Sequence, residues 1–124
     1  MEKATQGELF SARSWLFAPG DSERKMEKAA DGPADIVIFD LEDAVAEEAK
    51  PKARSMVSAF LNSRASIGTE GAAQRGRSTL WVRINPLQGS HALQDLAAVM
   101  PAAPGGIMLP KARGRADVER LDNY

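Results

Sequence analysis

Three carboxylates follow a short apolar run in the sequence, within four residues of one another. Asp40, Glu42 and Asp43 lie in residues 36–45, IVIFDLEDAV. Four consecutive apolar residues, rich in isoleucine and valine and without strict alternation, are typical of a strand that is covered on both faces. Because ligands of α/β proteins bind at the carboxyl ends of parallel strands, we expect these acids to take part in chemistry rather than in packing.

Polar residues also follow the three other strands that the sequence predicts. Residues 19–22 (PGDS) come after the first strand, Arg83 and Asn85 end the third, and Lys111 follows the fourth. The carboxyl ends of parallel strands share one edge of a sheet, so all of these residues should face the same rim. Arginine binds a carboxylate through two parallel N–H bonds, whereas acids hold a divalent cation or its waters. The pattern therefore predicts an anionic substrate held together with a divalent cation.

Each of these residues also has a simpler structural explanation. Asp43 would cap the following helix, Arg83 would pair with a carboxylate, and Lys111 would be a solvated strand end. The turn at residues 19–25 carries basic residues beside a predicted helix start, but it lacks the spacing of a phosphate-binding loop and contains two acids. An ordinary capped turn is therefore favoured there. The convergence of the acids, the arginine and the lysine on one rim is what favours a functional site.

The remaining reactive side chains offer little other chemistry. Cysteine is absent, which excludes disulfides, thiolate nucleophiles and cysteine metal sites. His91 is the only histidine, and no serine or cysteine nucleophile stands beside it in a recognisable arrangement, so we interpret it as a surface residue. Trp15 and Trp81 lie in strand patterns and are predicted to be packing groups.

Four predicted strands position the rim, and a helical pattern follows each of them. The strands are expected at residues 14–18, 35–40, 79–84 and 106–109. Short strands that alternate with helices predict an α/β fold of parallel (βα) units with right-handed crossovers. A complete (β/α)8 barrel takes about 250 residues. Four units in 124 residues correspond to the first half of such a barrel, although the pattern alone leaves a doubly wound sheet open.

The helices are predicted from capping residues and from apolar spacing. Asp21 or Ser22 would cap the first helix, Pro51 would lie in the first turn of the second, and Ser90 would cap the third. The residues expected to face the core are Met26, Ala29 and Ala30 in the first helix, Ala53, Met56, Val57, Phe60 and Leu61 in the second, and Leu93, Leu96, Ala97 and Met100 in the third. A long surface loop is expected at residues 62–78, and a last helix from Arg115.

Composition indicates one ordinary globular domain. Hydrophobic residues make up 44% of the 124 residues, and 16 basic against 17 acidic residues give a net charge of −1. This balance argues against nucleic acid or an anionic membrane as a partner. The first dozen residues are too polar for a signal peptide, and no apolar run approaches the roughly 18 residues of a membrane span. We expect a flexible tail at residues 1–12, a partial barrel domain at 13–124 and a cytoplasmic location.

Four sequence blocks resemble the amino-terminal half of the citrate lyase beta-subunit and malyl-CoA lyase family. They are RSWLFAPGDSERKMEKA, ADIVIFDLEDAVAEEAKPKAR, WVRINP and GIMLPKARGRADVE, and they run in order from Arg13 to Glu119. The resemblance implies a (β/α)8 barrel and a Mg2+-dependent enzyme that cleaves or forms a carbon–carbon bond in a 3-hydroxyacyl-CoA thioester. An acyl-CoA or an oxo-acid would be the substrate. The unpaired edges of a half-barrel further predict a homo-oligomer.

The resemblance also implies roles for the rim residues. Arg83 would hold a carboxylate of the oxo-acid, and Lys111 would line the same mouth. Asp40, Glu42 and Asp43 would be the catalytic acids, of which Glu42 and Asp43 would contact Mg2+ through ordered water while Asp40 supports their loop. The cation would act as a Lewis acid on the carbonyl of the oxo-acid.

One part of the family's site is expected to be missing from these residues. The direct metal ligands, a glutamate and an aspartate on later strands, have no counterpart among the 124 residues, so we expect the chain to be catalytically incomplete by itself. Two alternatives belong to other classes of protein: a non-catalytic half-barrel interaction or assembly module, and a doubly wound binding domain whose acids hold Mg2+. Activity on acyl-CoA thioesters distinguishes the enzyme from the module, and strand order identifies the doubly wound domain.

Overall fold

The computed structural model of the protein describes residues 14–66 and 78–110, together with Leu121. Several sequence predictions lie outside the described residues. These are the flexible tail at residues 1–12, the larger part of the loop at 62–78, Lys111, and the start of the last helix at Arg115.

Within the described part of the chain, four parallel strands form one sheet, in the same order in space as in sequence. They are β1 (Trp15–Pro19), β2 (Ile36–Asp40), β3 (Thr79–Arg83) and β4 (Gly106–Met108). Each begins and ends within one residue of its predicted bounds. The register aligns Pro19, Asp40, Arg83 and Met108 across the sheet, so the carboxyl ends of all four strands meet at one edge, which we call the rim.

In residues 14–66 and 78–110, three helices connect or follow the strands. They are α1 (Glu23–Ala30), α2 (Lys50–Ser66) and α3 (Ala92–Val99), and two short 3-10 turns cover Glu47–Ala49 and Met100–Ala102. Ser22 caps α1, because its hydroxyl oxygen accepts a hydrogen bond from the backbone N–H of Lys25 at 3.3 Å. The predicted buried faces of α1 and α2 are confirmed, although Met56 is only partly buried.

Helix α2 is longer than the sequence pattern predicted. The surface loop was expected from Asn62, but the helix continues to Ser66. Polar residues on an exposed helix face resemble a loop in sequence. In the structure this end is fixed by Arg64, which stacks on Phe60 with 4.9 Å between its guanidinium carbon and the ring centroid and pairs with Asp31 at 2.8 Å.

Helix α3 differs from the prediction in both its cap and its buried face. Its N-cap is His91, which makes no side-chain cap hydrogen bond, so the predicted Ser90 cap is wrong. Leu93 is 59% exposed. The residues that are buried are Ala92, Asp95, Leu96 and Val99. The error arises because Asp95 lies on the inner face, where it pairs with Arg54, and an apolar pattern cannot register a buried acid.

The hydrophobic core lies between the helices and one face of the sheet. Val37 and Phe39 of β2 belong to it, together with residues of all three described helices, whereas Ile36 and Ile38 point to the opposite face. Helices on a single face and strands in sequential order are features of a barrel segment, since a doubly wound sheet is covered on both faces and reverses its strand order. The predicted partial barrel is therefore confirmed, and the doubly wound alternative is wrong.

The other sheet face is partly open. Trp15 and Phe17 of β1 are 44% and 46% exposed. Trp15 packs edge-on against Trp81 of β3 with 5.5 Å between the ring centroids. The ring of Trp81 in turn lies against Gly106, where any Cβ atom would come within 2.4 Å of it. Among the described residues, no helix is long and apolar enough to cross a membrane.

Candidate functional site

The rim is organised around an ion pair between neighbouring strands. Asp40 and Arg83 are register partners at the ends of β2 and β3. The Nε and Nη2 atoms of Arg83 donate to the two carboxylate oxygens of Asp40 at 2.8 and 2.7 Å. The alternative in which Arg83 pairs with a carboxylate is thus realised. The third guanidinium nitrogen of Arg83, Nη1, makes no hydrogen bond to Asp40.

The electrostatics of this pair follow from its position. Burial raises the pKa of Asp40, but hydrogen bonds from Arg83 and from two backbone N–H groups outweigh that effect and leave the pKa below its ordinary value of 3.8. The hydrogen bond to Asp40 raises the pKa of Arg83. Both side chains are therefore charged at neutral pH. Phe17 covers the guanidinium, with its ring centroid 4.7 Å from the central carbon of Arg83.

Asp40 also shapes the segment that follows β2, residues 41–45, which we call the acidic loop. Its Oδ1 atom accepts the backbone N–H of Glu42, and its Oδ2 atom accepts that of Ala44, both at 2.9 Å. With the two bonds from Arg83, each carboxylate oxygen accepts two hydrogen bonds. Asp40 consequently has little capacity left to bind a metal ion directly.

Glu42 and Asp43 occupy different environments in the acidic loop. Glu42 is buried, and its Oε1 atom lies 3.7 Å from Nε of Arg83. Asp43 is exposed. It does not cap the next helical segment, because the N-cap of the following 3-10 turn is Ala46. The helix-cap explanation of Asp43 is therefore wrong.

The turn after β1 joins the same rim through its backbone. Gly20 donates its N–H to the carbonyl oxygen of Asp40 at 2.8 Å, and Ser22 then caps α1. The ordinary capped turn that the sequence favoured is confirmed. The structure thus brings Asp40, Glu42, Asp43 and Arg83 together, whereas Lys111 lies outside the described residues.

Lys50 belongs to the site but was missed by sequence reasoning. It is the first residue of α2 and is 7% exposed. Its ammonium donates to the carbonyl oxygens of Leu41 and Glu42, each at 3.0 Å, and to Oδ1 of Asn85 at 2.8 Å. In the sequence it stands among charged residues, EEAKPKAR, which are typical of a solvated face. No local signal distinguishes it from the exposed Lys52.

A chain of polar side chains connects Asn85 to the helical side of the sheet. Asp95 accepts the backbone and side-chain N–H groups of Asn85 at 2.8 and 2.7 Å, and it accepts Nε–H of Arg54 at 2.7 Å. Arg54 also contacts Nδ1 of His91, whose Nε2 contacts Glu47. Because a guanidinium can only donate, Nδ1 of His91 must accept, and its Nε2–H donates to Glu47. This bond lowers the pKa of Glu47.

His91, which the sequence indicated to be a surface residue, lies partly exposed at the outer end of this network, where its 21% exposed side chain contacts both Arg54 and the exposed Glu47. Arg54 lies one turn after Lys50, on the side of α2 that faces α3. A pair of basic residues four apart at a helix start is common on protein surfaces. The sequence therefore could not show that Lys50 and Arg54 are buried.

In residues 14–66 and 78–110, no three histidine or acidic side chains converge as a direct ligand set. The acidic loop nevertheless presents one buried and one exposed carboxylate beside the rim, a donor set that suits the water shell of a hard cation. The arrangement is able to orient water molecules and to bind an anionic group beside Arg83.

Several known proteins resemble this chain in sequence and in fold. Residues 13–124 match the family described as HpcH/HpaI aldolase/citrate lyase. A (3S)-malyl-CoA thioesterase of Cereibacter sphaeroides is 37% identical over 109 residues, which are 88% of this chain and 35% of the relative. An L-malyl-CoA/beta-methylmalyl-CoA lyase of the same species is 34% identical over 113 residues, 89% of this chain and 33% of the relative. The chain thus spans about a third of the length of these relatives.

Two solved structures of Mycobacterium tuberculosis proteins share the fold. Protein CitE in complex with magnesium, acetoacetate and coenzyme A matches with a TM-score of 0.63 and 36% identity, over 90% of this chain and 37% of that protein. Citrate lyase beta subunit complexed with oxaloacetate and magnesium matches with a TM-score of 0.66 and 35% identity, over 92% of this chain and 45% of that protein.

Proposed function

Because the chain belongs to the HpcH/HpaI aldolase/citrate lyase family, we propose that it carries the oxo-acid-binding part of a carbon–carbon lyase site. The reaction is the cleavage or formation of a carbon–carbon bond in a 3-hydroxyacyl-CoA type thioester, with Mg2+ as the cofactor. The chain corresponds to the first four (βα) units of such a site. We propose that these residues alone are catalytically incomplete.

The observation that carries this proposal is the fixed orientation of Arg83 at the rim. Two of its nitrogens are held by Asp40, and one face is covered by Phe17, so the guanidinium cannot rotate freely. A cation fixed in this way has already lost its rotamer entropy and can bind an anion at low additional cost. Arg83 would bind a carboxylate of the oxo-acid through its remaining N–H groups.

The acidic loop would interact with the hydrated metal ion rather than with the substrate. Glu42 and Asp43 would accept hydrogen bonds from water molecules in the cation's shell and orient them, and Asp40 would keep the loop in place. Mg2+, when bound, supplies a Lewis acid for the carbonyl oxygen of the oxo-acid. Lys111 would line the same mouth and contribute a second positive charge for the acyl-CoA or oxo-acid.

The second candidate function is a non-catalytic half-barrel interaction or assembly module. One observation favours it: no direct metal ligand set occurs in the part of the chain that the structure describes. A module of this kind would keep the sheet and the rim but would not bind oxo-acids with measurable affinity. The two candidates therefore differ in ligand binding and not only in turnover.

We further propose a homo-oligomer in a cytoplasmic location. The open sheet face with exposed Trp15 and Phe17 supports self-association, since exposed aromatic residues on a sheet are poorly tolerated in water. The absence of cysteine fits a reducing compartment. Small-molecule substrates, rather than nucleic acid, suit the near-zero net charge.

Ligand titration of the 124-residue chain tests the proposed function. We expect oxaloacetate and acetoacetate, added with Mg2+, to shift the NMR signals of Arg83 and of the acidic loop, while malyl-CoA releases no free CoA and yields no oxo-acid. Succinate, which carries carboxylates but no keto group, serves as the comparison ligand. The absence of any oxo-acid effect at the rim would favour the assembly module.

A further inference from the structure

Lys50 is a buried cation whose three observed hydrogen bonds all go to uncharged oxygens. The acceptors are the carbonyls of Leu41 and Glu42 and the side-chain oxygen of Asn85. An ammonium has three N–H donors, so the group is fully satisfied without a carboxylate in its shell. We infer that Lys50 is a positioning residue, which fixes the acidic loop against the end of β3 and thereby orients Glu42 and Asp43. This inference rests on the proposed function of the rim.

The acidic loop is held from two opposite sides. In the peptide group between Leu41 and Glu42, the oxygen accepts from Lys50 at 3.0 Å, and the N–H donates to Asp40 at 2.9 Å. The carbonyl and the N–H of a trans peptide point in opposite directions within the peptide plane, so the two charged groups lie at opposite edges of this peptide. A single peptide group is thus fixed between a cation and an anion.

Both charges are connected to the strand that carries the candidate anion site. Asp40 pairs with Arg83 at the end of β3, and Lys50 contacts Asn85, which lies two residues further along the chain. The amide of Asn85 has a defined orientation, because its Nδ2 donates to the carbonyl of Leu41 and to Asp95. Its Oδ1 is therefore left for Lys50. The network couples the position of the acidic loop to that of Arg83.

An ammonium at this position carries two energetic costs, which its three hydrogen bonds must offset. A cation at the amino-terminal end of a helix opposes the helix dipole, and a buried cation also loses its hydration. A methionine of similar length would fill the same space without either cost. What methionine cannot supply is donors for two carbonyls of the acidic loop, and we assign the lysine to that task.

Chemical replacement of the side chain tests this role in the full chain. Because the sequence contains no cysteine, Lys50→Cys introduces a unique thiol. Alkylation in denaturant with 2-bromoethylamine, followed by refolding, restores an ammonium at nearly the length of lysine. Iodoacetamide gives a neutral adduct in its place. Lys52→Cys, two residues later and exposed on the same helix, is treated identically as the matched control.

Hydrogen exchange of the backbone amides is the first measurement, because it does not depend on any ligand. In the neutral adduct we expect the amides of Glu42 and Ala44 to exchange about tenfold faster or more, while those of Val37 and Phe39 in β2 change little. The aminoethyl adduct should return to the rate of the unmodified chain. Neither adduct at position 52 should have an effect.

Oxaloacetate affinity in the presence of Mg2+ is the second measurement. We expect it to fall in the neutral adduct and to recover with the ammonium. The role of Lys50 would be overturned if hydrogen exchange of the acidic-loop amides is unchanged in the neutral adduct. It would also be overturned if the exchange rates do not recover in the aminoethyl adduct. If the unmodified chain binds no oxo-acid, the proposed function fails while the exchange rates still decide the role of Lys50. If the Lys50→Cys variant does not refold, Lys50→Met is used in its place. Faster hydrogen exchange of the acidic-loop amides in Lys50→Met would support the role of Lys50, and unchanged exchange would contradict it.

Discussion

Asp40 and Arg83 join the carboxyl ends of β2 and β3 through two parallel hydrogen bonds of 2.8 and 2.7 Å. Asp40 is 1% exposed. The same carboxylate accepts two N–H groups of the acidic loop, so a single side chain determines both the orientation of the arginine and the path of the loop. The anion site and the acidic residues beside it are therefore parts of one structural unit.

The first prediction concerns Asp40→Asn. An asparagine offers one acceptor oxygen where the aspartate offers two, so one N–H of Arg83 and one backbone N–H, of Glu42 or Ala44, lose their acceptor. We expect the free energy of unfolding to fall by about 2–3 kcal/mol at neutral pH, because Arg83 loses its directly hydrogen-bonded counter-charge and keeps only the Glu42 carboxylate, at 3.7 Å. Urea denaturation of both proteins, followed by tryptophan fluorescence, measures the difference.

The pH dependence of stability provides a second prediction on the same residue. The pKa of Asp40 is lower in the folded protein than its ordinary value of 3.8. The stabilisation is therefore complete above about pH 5 and is lost as the pH falls through the folded-state pKa. Between pH 6 and pH 3 the wild type should lose more stability than Asp40→Asn. Glu47→Gln, at an exposed carboxylate whose pKa is also lowered, shows what a surface contact contributes. Parallel pH profiles for wild type and Asp40→Asn would contradict the prediction.

The third prediction concerns Arg83→Lys. Lysine cannot make the two-point contact with Asp40 and retain a further N–H group in the same plane for a ligand. We expect the affinity for oxaloacetate to fall about tenfold or more, measured by NMR titration in Mg2+. The control is Arg64→Lys, which alters another arginine in an ion pair, with Asp31, away from the rim. Equal affinities of wild type and Arg83→Lys would remove this arginine from the ligand site.

A fourth prediction tests the two acids of the loop. Replacing Glu42 and Asp43 by glutamine and asparagine keeps their shape and removes two negative charges. We expect the fold to survive and metal affinity to fall about tenfold, measured through the paramagnetic effect of Mn2+ on the NMR signals of the acidic loop. The double variant Glu23→Gln/Glu27→Gln removes the same charge from α1. A loss of thermal stability without a change in metal response would assign the two acids a structural role only.

Much of this architecture could be predicted from local patterns. The four strands, the Ser22 cap and the buried face of α2 follow from apolar runs and capping chemistry, which act over a few residues. The grouping of Asp40 and Arg83 also followed, because parallel strands bring their carboxyl ends to one rim. These features depend on short-range rules and on the geometry of a parallel sheet.

The polar network behind the rim could not be predicted in the same way. Lys50, Arg54 and Asp95 are buried charges whose partners lie between 8 and 41 residues away in sequence. A charged residue is normally exposed, and only the assembled fold provides the partners that permit its burial. The wrong face of α3 has the same origin, since Asp95 lies on the inner face, which was predicted to contain apolar residues only.

The last prediction concerns the chain as a whole. Within the described residues, β1 and β4 each pair with one strand only, so both present unpaired backbone groups at a sheet edge. Leu16 of β1 is 44% exposed beside Trp15 and Phe17. We expect self-association that increases with concentration in sedimentation velocity, and no turnover of malyl-CoA. Leu16→Lys should reduce the association by placing a charge on the edge strand, whereas Leu93→Lys, at an exposed leucine of α3, should not. A stable monomer that cleaves the thioester would contradict both the open sheet edges and the incomplete site.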